Sequence, residues 1–302
     1  MSLRENTLLL LNRISPINIK GDAEFIDDED IKYELSCIIN FYKRTNLLKN
    51  ILFSLADQEY DKRKFEIILA EDRGGSAEGK EIFERFKDLL NIKYITLDKN
   101  YGVMGYARNY ALINSSGKNI LFLDDDTVIL QKHFINNLLK LFKNSKVDGI
   151  MPKGIASFSI TNNRYQYHDS FFPTNRCMAY TRELLKDMGG FISDIVGQED
   201  VEFTVRLLTQ KKKIIKSDEL EFHHPPLIYE DTNKGKAVGY SFGNLRVKYP
   251  FLIWLFLILN GCRYLPLFLL SAFDKFKYQY NFSIGFFQGF LSSFFGKKPD
   301  YN

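Results

Sequence analysis

The chain is poor in the residues that build disulfide scaffolds and zinc centres. Its three cysteines, Cys37, Cys177 and Cys262, are odd in number and widely spaced. That excludes a disulfide framework or a Cys-rich metal site and fits a reducing compartment. Charge of one sign is also scarce. The 41 Lys and Arg residues stand against 37 Asp and Glu, a net +4. A nucleic-acid partner calls for a clustered basic face, so none is expected. Near the N-terminus the apolar run Leu8 to Leu11 is only four residues long, preceded by Arg4 and Glu5. It does not read as a secretory signal, and export is not expected.

What the chain has is apolar and aromatic residues: 45% of its 302 residues are hydrophobic, with 27 Phe and 17 Tyr. That is enough for one large α/β domain or for a domain plus an appendage. Residues 22–30 are acidic and read as a solvated linker. From residue 35 strand and helix signals alternate. Strands are expected at Leu35 to Ile39, Phe65 to Leu69, Ile92 to Leu97 and Asn119 to Leu123. Helices are expected at Leu47 to Leu55, Glu81 to Leu90 and Ala107 to Ile113. This order implies a mainly parallel sheet with right-handed crossovers, whose ligands bind at the carboxyl ends of the strands. Asp72 and Asp124 to Asp126 each follow such a strand. Residues 155–180 carry weak strand signals. Glu199 to Leu208 reads as an amphipathic helix, and Lys213 to Lys216 and Leu220 to Phe222 as short strands.

The last fifty residues crowd their aromatics. Phe251 to Leu259 is wholly apolar, and Leu265 to Leu270 follows a break at Asn260 to Arg263. A bilayer span needs about 20 apolar residues. Here it would enclose Arg263, at about 2.5–3.5 kcal/mol on insertion scales. The reading is a helix–break–helix lying in the membrane interface, at the inner face of the membrane, with Phe282 to Phe295 and Lys297-Lys298 repeating the theme. The competing reading packs these helices on the catalytic domain or on a second subunit in an oligomer.

Three acidic or histidine constellations could carry chemistry. Asp124-Asp125-Asp126 concentrates carboxylates that repel unless a cation compensates. Mg²⁺ or Mn²⁺ favours such oxygen ligands and bridges them to phosphates. Glu199-Asp200 opens a helix, where acidic residues cap favourably, but a carboxylate there can also act as a general base. His223-His224 can ligate a metal or simply form a turn before Pro225-Pro226.

In this order the residues resemble the family 2 glycosyltransferases of the GT-A fold, over roughly residues 34–226. Ser36 to Arg44 is similar to that family's opening strand and turn, with Asn40 for its usual Pro and Phe41 for its Thr. The resemblance implies nucleotide contacts from Phe41, Tyr42 and Arg44. Ala70 to Ser76 resembles the family's Val-Asp-Asp-Gly-Ser turn, with Asp72 on the base or ribose. Asn100-Tyr101-Gly102 and Ala107-Arg108-Asn109 match segments lying under the nucleotide, and Arg108 approaches the diphosphate. Asp124 and Asp126 match the Asp-x-Asp motif, Asp124 shared with the sugar-nucleotide and Asp126 on the metal. Asp125 is counted with the nucleotide-sugar contacts, its side chain turned away. Glu199-Asp200 matches the Glu-Asp motif, with Asp200 as base beside Glu199. His223 or His224 supplies a third metal ligand, and Asn175 and Arg206 lie on the acceptor side. A Gln-x-x-Arg-Trp motif is missing after Arg206, which implies one sugar per encounter.

The resemblance implies an inverting, metal-dependent transfer from a nucleotide-diphosphate sugar, UDP-sugar by default, to a saccharide or lipid-linked saccharide at the cytoplasmic side. The expected organisation is an N-terminal extension over 1–33, a catalytic domain over 34–230 and a helical region over 231–302. Two rivals stand beside it. Asp124-Asp125-Asp126-Thr127-Val128 also fits a haloacid-dehalogenase-type phosphatase with Asp124 as nucleophile, though that motif normally opens its domain. The other is a catalytically inactive, membrane-attached sugar-binding protein.

Overall fold

The computed structural model describes residues 3–25, 31–157, 164–167, 175–225, 232–270, 274–297 and 299. Its first half alternates β1 (Tyr33–Phe41), α2 (Thr45–Ala56), β2 (Phe65–Glu71), α3 (Ala77–Phe86), β3 (Ile92–Thr96), α4 (Met104–Ile113) and β4 (Gly117–Asp124), after an N-terminal helix α1 (Leu3–Ile14). The second half adds α5 (Phe134–Ser145), β5 (Gly149–Ser157), β6 (Arg164–Tyr167), β7 (Cys177–Thr181), α6 (Arg182–Met188), α7 (Glu199–Thr209) and β8 (Ile214–His223). Three further helices follow: α8 (Asn233–Asn244), α9 (Phe251–Gly261) and α10 (Asp274–Phe294).

The eight strands form one sheet in the order β3-β2-β1-β4-β7-β5-β6, with β8 beside β5. The β3-β2-β1-β4 half is parallel throughout, as the strand–helix alternation requires. β7 runs antiparallel between β4 and β5. The weak signals of residues 155–180 supply this antiparallel part, and residues 158–163 and 168–174 lie outside the described residues.

Why the central strands are near-continuous apolar runs follows from their two buried faces. Cys37, Ile39, Ile67, Leu69, Leu121 and Leu123 point to one layer, with Leu48, Leu52 and Phe134. The alternate residues Ile38, Ile68, Ile120 and Phe122 point to the other, with Ala107, Ala111 and Phe203. A one-residue slip in register would exchange the two layers.

Some boundaries differ from expectation, for local reasons. α3 begins at Ala77, not Glu81, because the Ser76 hydroxyl accepts the Gly79 N–H at 3.0 Å and caps the helix early. β8 is one strand rather than two, interrupted by an irregularity opposite Pro152 and Lys153. The expected domain boundary at residues 230 and 231 lies outside the described residues.

The C-terminal helices break where expected: α9 ends at Gly261 and a 3-10 segment runs Leu265–Leu270. α8 and α10 pack through glycines. A Cβ at Gly239 would lie 1.9 Å from the Phe286 carbonyl oxygen, and one at Gly289 1.9 Å from that of Lys236. Such backbone contact is open only to glycine. Trp254, Leu257 and Ile258 of α9 and Phe286 of α10 join Leu8, Ile192, Ile195 and Val205 in one cluster. We therefore expect Gly239→Leu to force α8 from α10 and lower unfolding free energy by about 1–3 kcal/mol. Denaturant unfolding, with wild type and Gly197→Ala as reference, measures the loss.

Candidate active site

Register brings the site together before any side chain is considered. Asn40 of β1 pairs with Asp124 of β4, and Phe41 with Glu71 of β2. The chain segments that leave these strands therefore emerge side by side at the carboxyl edge. The Asn40 side-chain amide donates to the Ala107 carbonyl at 3.0 Å. This ties the end of β1 to α4, where the family's usual proline would offer no donor.

On one side lies the turn after β2. The Asp72 N–H donates to the Phe41 carbonyl at 3.0 Å. Its carboxylate accepts from the Arg73 and Gly102 N–H groups at 2.8 and 2.7 Å. Arg73 and Asn100 take left-handed φ values of 61° and 53°, which only tight turns impose on such residues. The Arg73 guanidinium lies 4.5 Å from the Tyr42 ring centroid, a cation–π contact at the rim. Phe41, expected at the nucleotide, is instead a core residue packed with the β1 and β2 layer. Strand alternation turns it inward while Tyr42 turns out.

At the centre is Arg108 of α4, only 4% exposed. Its Nε donates to Glu199 Oε1 at 2.5 Å and its Nη2 to Asp124 Oδ1 at 3.1 Å. The two carboxylates hold the guanidinium charged, although burial alone would favour deprotonation. Nη1 has no hydrogen-bond partner among the described residues. Glu199 is thus the counter-ion of Arg108, not a second base, because its carboxylate is buried against that cation.

The aspartate turn divides its work. Arg44 Nη1 bridges Asp125 Oδ1 and Asp126 Oδ2 at 3.2 and 3.0 Å. Asp125 does not turn away into solvent. It is buried, and burial pushes its carboxyl up to about 7 despite Arg44. Asp126 is also desolvated, but His224 and Arg44 outweigh that and hold it below the usual carboxylate range.

His224 follows β8, the strand that brings it beneath the turn. Its Nε2 lies 3.1 Å from Asp126 Oδ1 and 4.0 Å from Asp124 Oδ2. Its Nδ1 lies 2.6 Å from the Pro225 carbonyl, which only an N–H can satisfy. In the neutral ring Nε2 then presents a lone pair to a carboxylate. Two acceptors facing each other need a cation or a proton between them. Among the described residues, Asp124, Asp126 and His224 form the group that could hold a metal ion, with ligand atoms within 4.8 Å of one another. The donor set of two oxygens and one imidazole suits Mn²⁺ or Mg²⁺. Of the histidine pair, His223 stays outside this group, and its backbone closes a bridge with Val128.

Asp200 stands at the first turn of α7. Its Oδ2 accepts from the Asn175 N–H at 3.1 Å and its Oδ1 from the Val201 N–H at 2.8 Å. Burial, with the neighbouring Glu199 charge, pushes its carboxyl up to about 6 against Arg108. The preceding Gln198 has φ 60°, a left-handed cap that turns the carboxylate into the cleft edge. Asn175 thus reaches the site through its main chain. Arg206 does not reach it at all. It is fully buried, paired with Glu202 and donating to the carbonyls of Met188 and Gly190. The helix period puts it about 120° around α7 from Asp200, on a different face.

Two cations escaped the sequence reading. The Arg176 carbonyl accepts from the Asp124 N–H and the Thr127 hydroxyl, so its residue is fixed beside the aspartate turn. Lys234, at the start of α8, has its pKa lowered by burial and by the Arg176 charge, against the opposing pull of Asp124, Asp200 and Glu199. Its only sequence signal was a place in a polar, basic stretch.

The family model described as Glycosyl transferase family 2 matches residues 36–197. The chain belongs to that family. The phosphatase reading of Asp124 therefore falls. A relative, the poly(ribitol-phosphate) beta-N-acetylglucosaminyltransferase TarS of Staphylococcus aureus, is 28% identical over 60% of this chain and 33% of its own length. A poly(ribitol-phosphate) beta-glucosyltransferase of Bacillus spizizenii is 27% identical over 63% of this chain and 32% of its own. The chain thus spans about a third of these curated relatives. The structure of S. aureus TarS 1-349 in complex with UDP-GlcNAc is similar at TM-score 0.57 and 21% identity, covering 85% of this chain and 81% of that one. The mannosyltransferase PcManGT of Pyrobaculum calidifontis, in complex with GDP-Man and Mn²⁺, is similar at TM-score 0.61 and 11% identity, covering 97% and 95%. These likenesses establish the GT-A fold of this family 2 chain.

Replacing Glu199 tests the central ion pair. Glu199→Gln leaves the buried Arg108 with one counter-ion, and we expect a loss of about 3 kcal/mol in unfolding free energy. Equal denaturant midpoints for wild type and variant would show that Arg108 does not depend on it.

Proposed function

We propose that this family 2 enzyme transfers one sugar per encounter from a nucleoside-diphosphate sugar to an acceptor hydroxyl, with inversion and with a divalent metal. The observation that carries the reading is the convergence of Asp72, the aspartate turn, His224 and Asp200 on one edge of the sheet. Each part has a separate task. Asp72, Tyr42 and Arg73 bound the side that receives the nucleoside. Asp124, Asp126 and His224 would hold Mn²⁺ or Mg²⁺, which when bound offsets charge on the diphosphate. Arg108 Nη1 and Lys234 supply positive charge beside the same groups.

Asp200 takes the acceptor proton. Its raised pKa makes it a better base than a solvated aspartate while leaving it ionised at neutral pH. The N–H groups of Asn175 and Val201 fix its two oxygens, so the carboxylate keeps one orientation as the hydroxyl approaches. UDP is the favoured nucleoside diphosphate, supported by the UDP-GlcNAc complex of the S. aureus relative. The acceptor is a saccharide, lipid-linked saccharide or phosphate-bearing polymer at the cytoplasmic face. The last class is added by the relatives' poly(ribitol-phosphate) names and suits a site edged by Arg176 and Lys234.

Transfer and binding assays, a pH profile and metal-dependent thermal shifts test this. Asp200→Asn is expected to abolish transfer and leave UDP-sugar binding within about twofold; loss of binding would remove Asp200 from the base role. In the wild type the active form is deprotonated, so kcat/KM falls about tenfold per pH unit below about 6 and is flat above it. For the metal, Mn²⁺ is expected to raise the melting temperature by mass action. Asp126→Ala is expected to erase that shift, and an EDTA-insensitive wild type would overturn the metal.

A further inference from the structure

The outer faces of α1, α9 and α10 follow a single pattern. In α9, Phe251, Leu252 and Leu259 are exposed and Leu255 and Phe256 half-exposed. At 100° per residue these fall on one half of the helix. Ile253, Trp254, Leu257, Ile258 and Gly261 fall on the other half and are buried or nearly so. α10 repeats the arrangement. Phe287, Leu291, Phe294 and Phe295 are exposed on one side, while Gly285, Phe286, Gly289 and Ser293 are buried on the other. α1 packs near α9 and exposes Leu3, Leu10 and Ile14, spaced to form one narrow stripe. The 3-10 segment adds Leu269 at 74% exposure. Within Phe251–Leu270, a stretch long and apolar enough to cross a membrane, only 22% of the most apolar window is buried.

An aqueous protein rarely leaves so much large apolar surface unpartnered. Charge decides what covers it. Residues 245–302 contain Arg246, Lys248, Arg263, Lys275, Lys277, Lys297 and Lys298 against Asp274 and Asp300. The rest of the chain is close to neutral, so this fifth of the sequence carries the whole positive excess. Arg263 is exposed just past the end of α9 and Lys297 just past the end of α10. Apolar side chains rimmed by cations match an anionic lipid surface. They do not match a second copy, which would bring the same cations against each other.

We propose that α1, α9, the Leu265–Leu270 segment and α10 form a monotopic docking surface for an anionic bilayer, with their apolar stripes entering the headgroup boundary and the cations at the phosphates. The helices lie on the membrane and do not cross it. Half of the α9 circumference is committed to the cluster with Leu8, Ile192, Ile195 and Val205, and a span would have to strip that half from the catalytic unit. The surface is also joined to the site. The Val196 N–H, two residues before the Gln198 cap, donates to Ser241 of α8 at 3.0 Å, and α8 is seated on α10 through glycines. Docking therefore holds the acceptor edge of the site at a fixed height above the lipid.

Vesicle flotation of the full chain tests this without any sugar substrate, so its outcome is independent of the transferase reading. Wild type is expected to float with phosphatidylglycerol-containing vesicles, to float weakly with pure phosphatidylcholine, and to be released by high salt. Arg263→Gln with Lys297→Gln should weaken partition by roughly fivefold for each cation removed. Leu259→Glu with Leu269→Glu should abolish flotation while leaving the melting temperature and UDP affinity unchanged. Wild type that stays in the soluble fraction, or glutamate variants that float like wild type, would overturn the proposal. So would a wild-type dimer that the glutamate variants convert to a monomer, since the stripes would then be its interface.

Discussion

A buried guanidinium is the constraint around which the site is built. Arg108 comes from α4, Asp124 from the end of β4 and Glu199 from the start of α7, and Arg108 bonds both carboxylates. A cation desolvated this far survives only with close counter-ions. The same requirement fixes where α7 can begin. Because α7 begins there, Asp200 lies at the cleft edge with its carboxylate bonded by the main chain of Asn175. The parallel half of the sheet and the segment after its antiparallel strand are thus joined through one side chain.

Formal charge around that side chain explains how the site can serve an anionic donor. Five carboxylates, Asp124, Asp125, Asp126, Glu199 and Asp200, share a small volume with Arg44, Arg108, Arg176 and Lys234. The raised carboxyls of Asp125 and Asp200 record that crowding together with burial. In the proposed reading a divalent cation would reverse the sign of the cluster and make it receptive to a diphosphate. Arg44, half-exposed, bridges Asp125 and Asp126 from the solvent side.

Much of this was legible in the sequence, and the parts that were not share a cause. The parallel strands announce themselves because both faces of the sheet are covered, which forces continuous apolar runs. Asp72, Asp124, Asp126 and Asp200 follow from strand ends and motif order. Arg206 misled because it shares a helix with Asp200; a helix turns successive residues to different faces, and Arg206 belongs to an internal pair with Glu202. Phe41 misled in the same way on a strand. Glu199 and Asp200 are adjacent, yet one is spent on Arg108 and the other is not. Adjacency in sequence carries no information about such a division, which depends on what α4 presents. Lys234 lay beyond reach because its closeness to Asp124 arises from the return of α8, a contact between segments far apart in the chain.

That return also bears on how the acceptor is met. Lys234 in the first turn of α8 is close to the carboxylates, and the later turns of α8 hold the loop that precedes Asp200 through Ser241 and Val238. Its other side is sealed to α10 so closely that only glycine fits at the crossing. Sliding of α10 along α8 would drive backbone into backbone, so the pair moves as one body. Whatever the outer face of α10 rests on is then held at a set distance from Asp200. A transferase whose acceptor is tethered to the same surface gains from this rigidity, because the hydroxyl and its base need not search for one another in three dimensions.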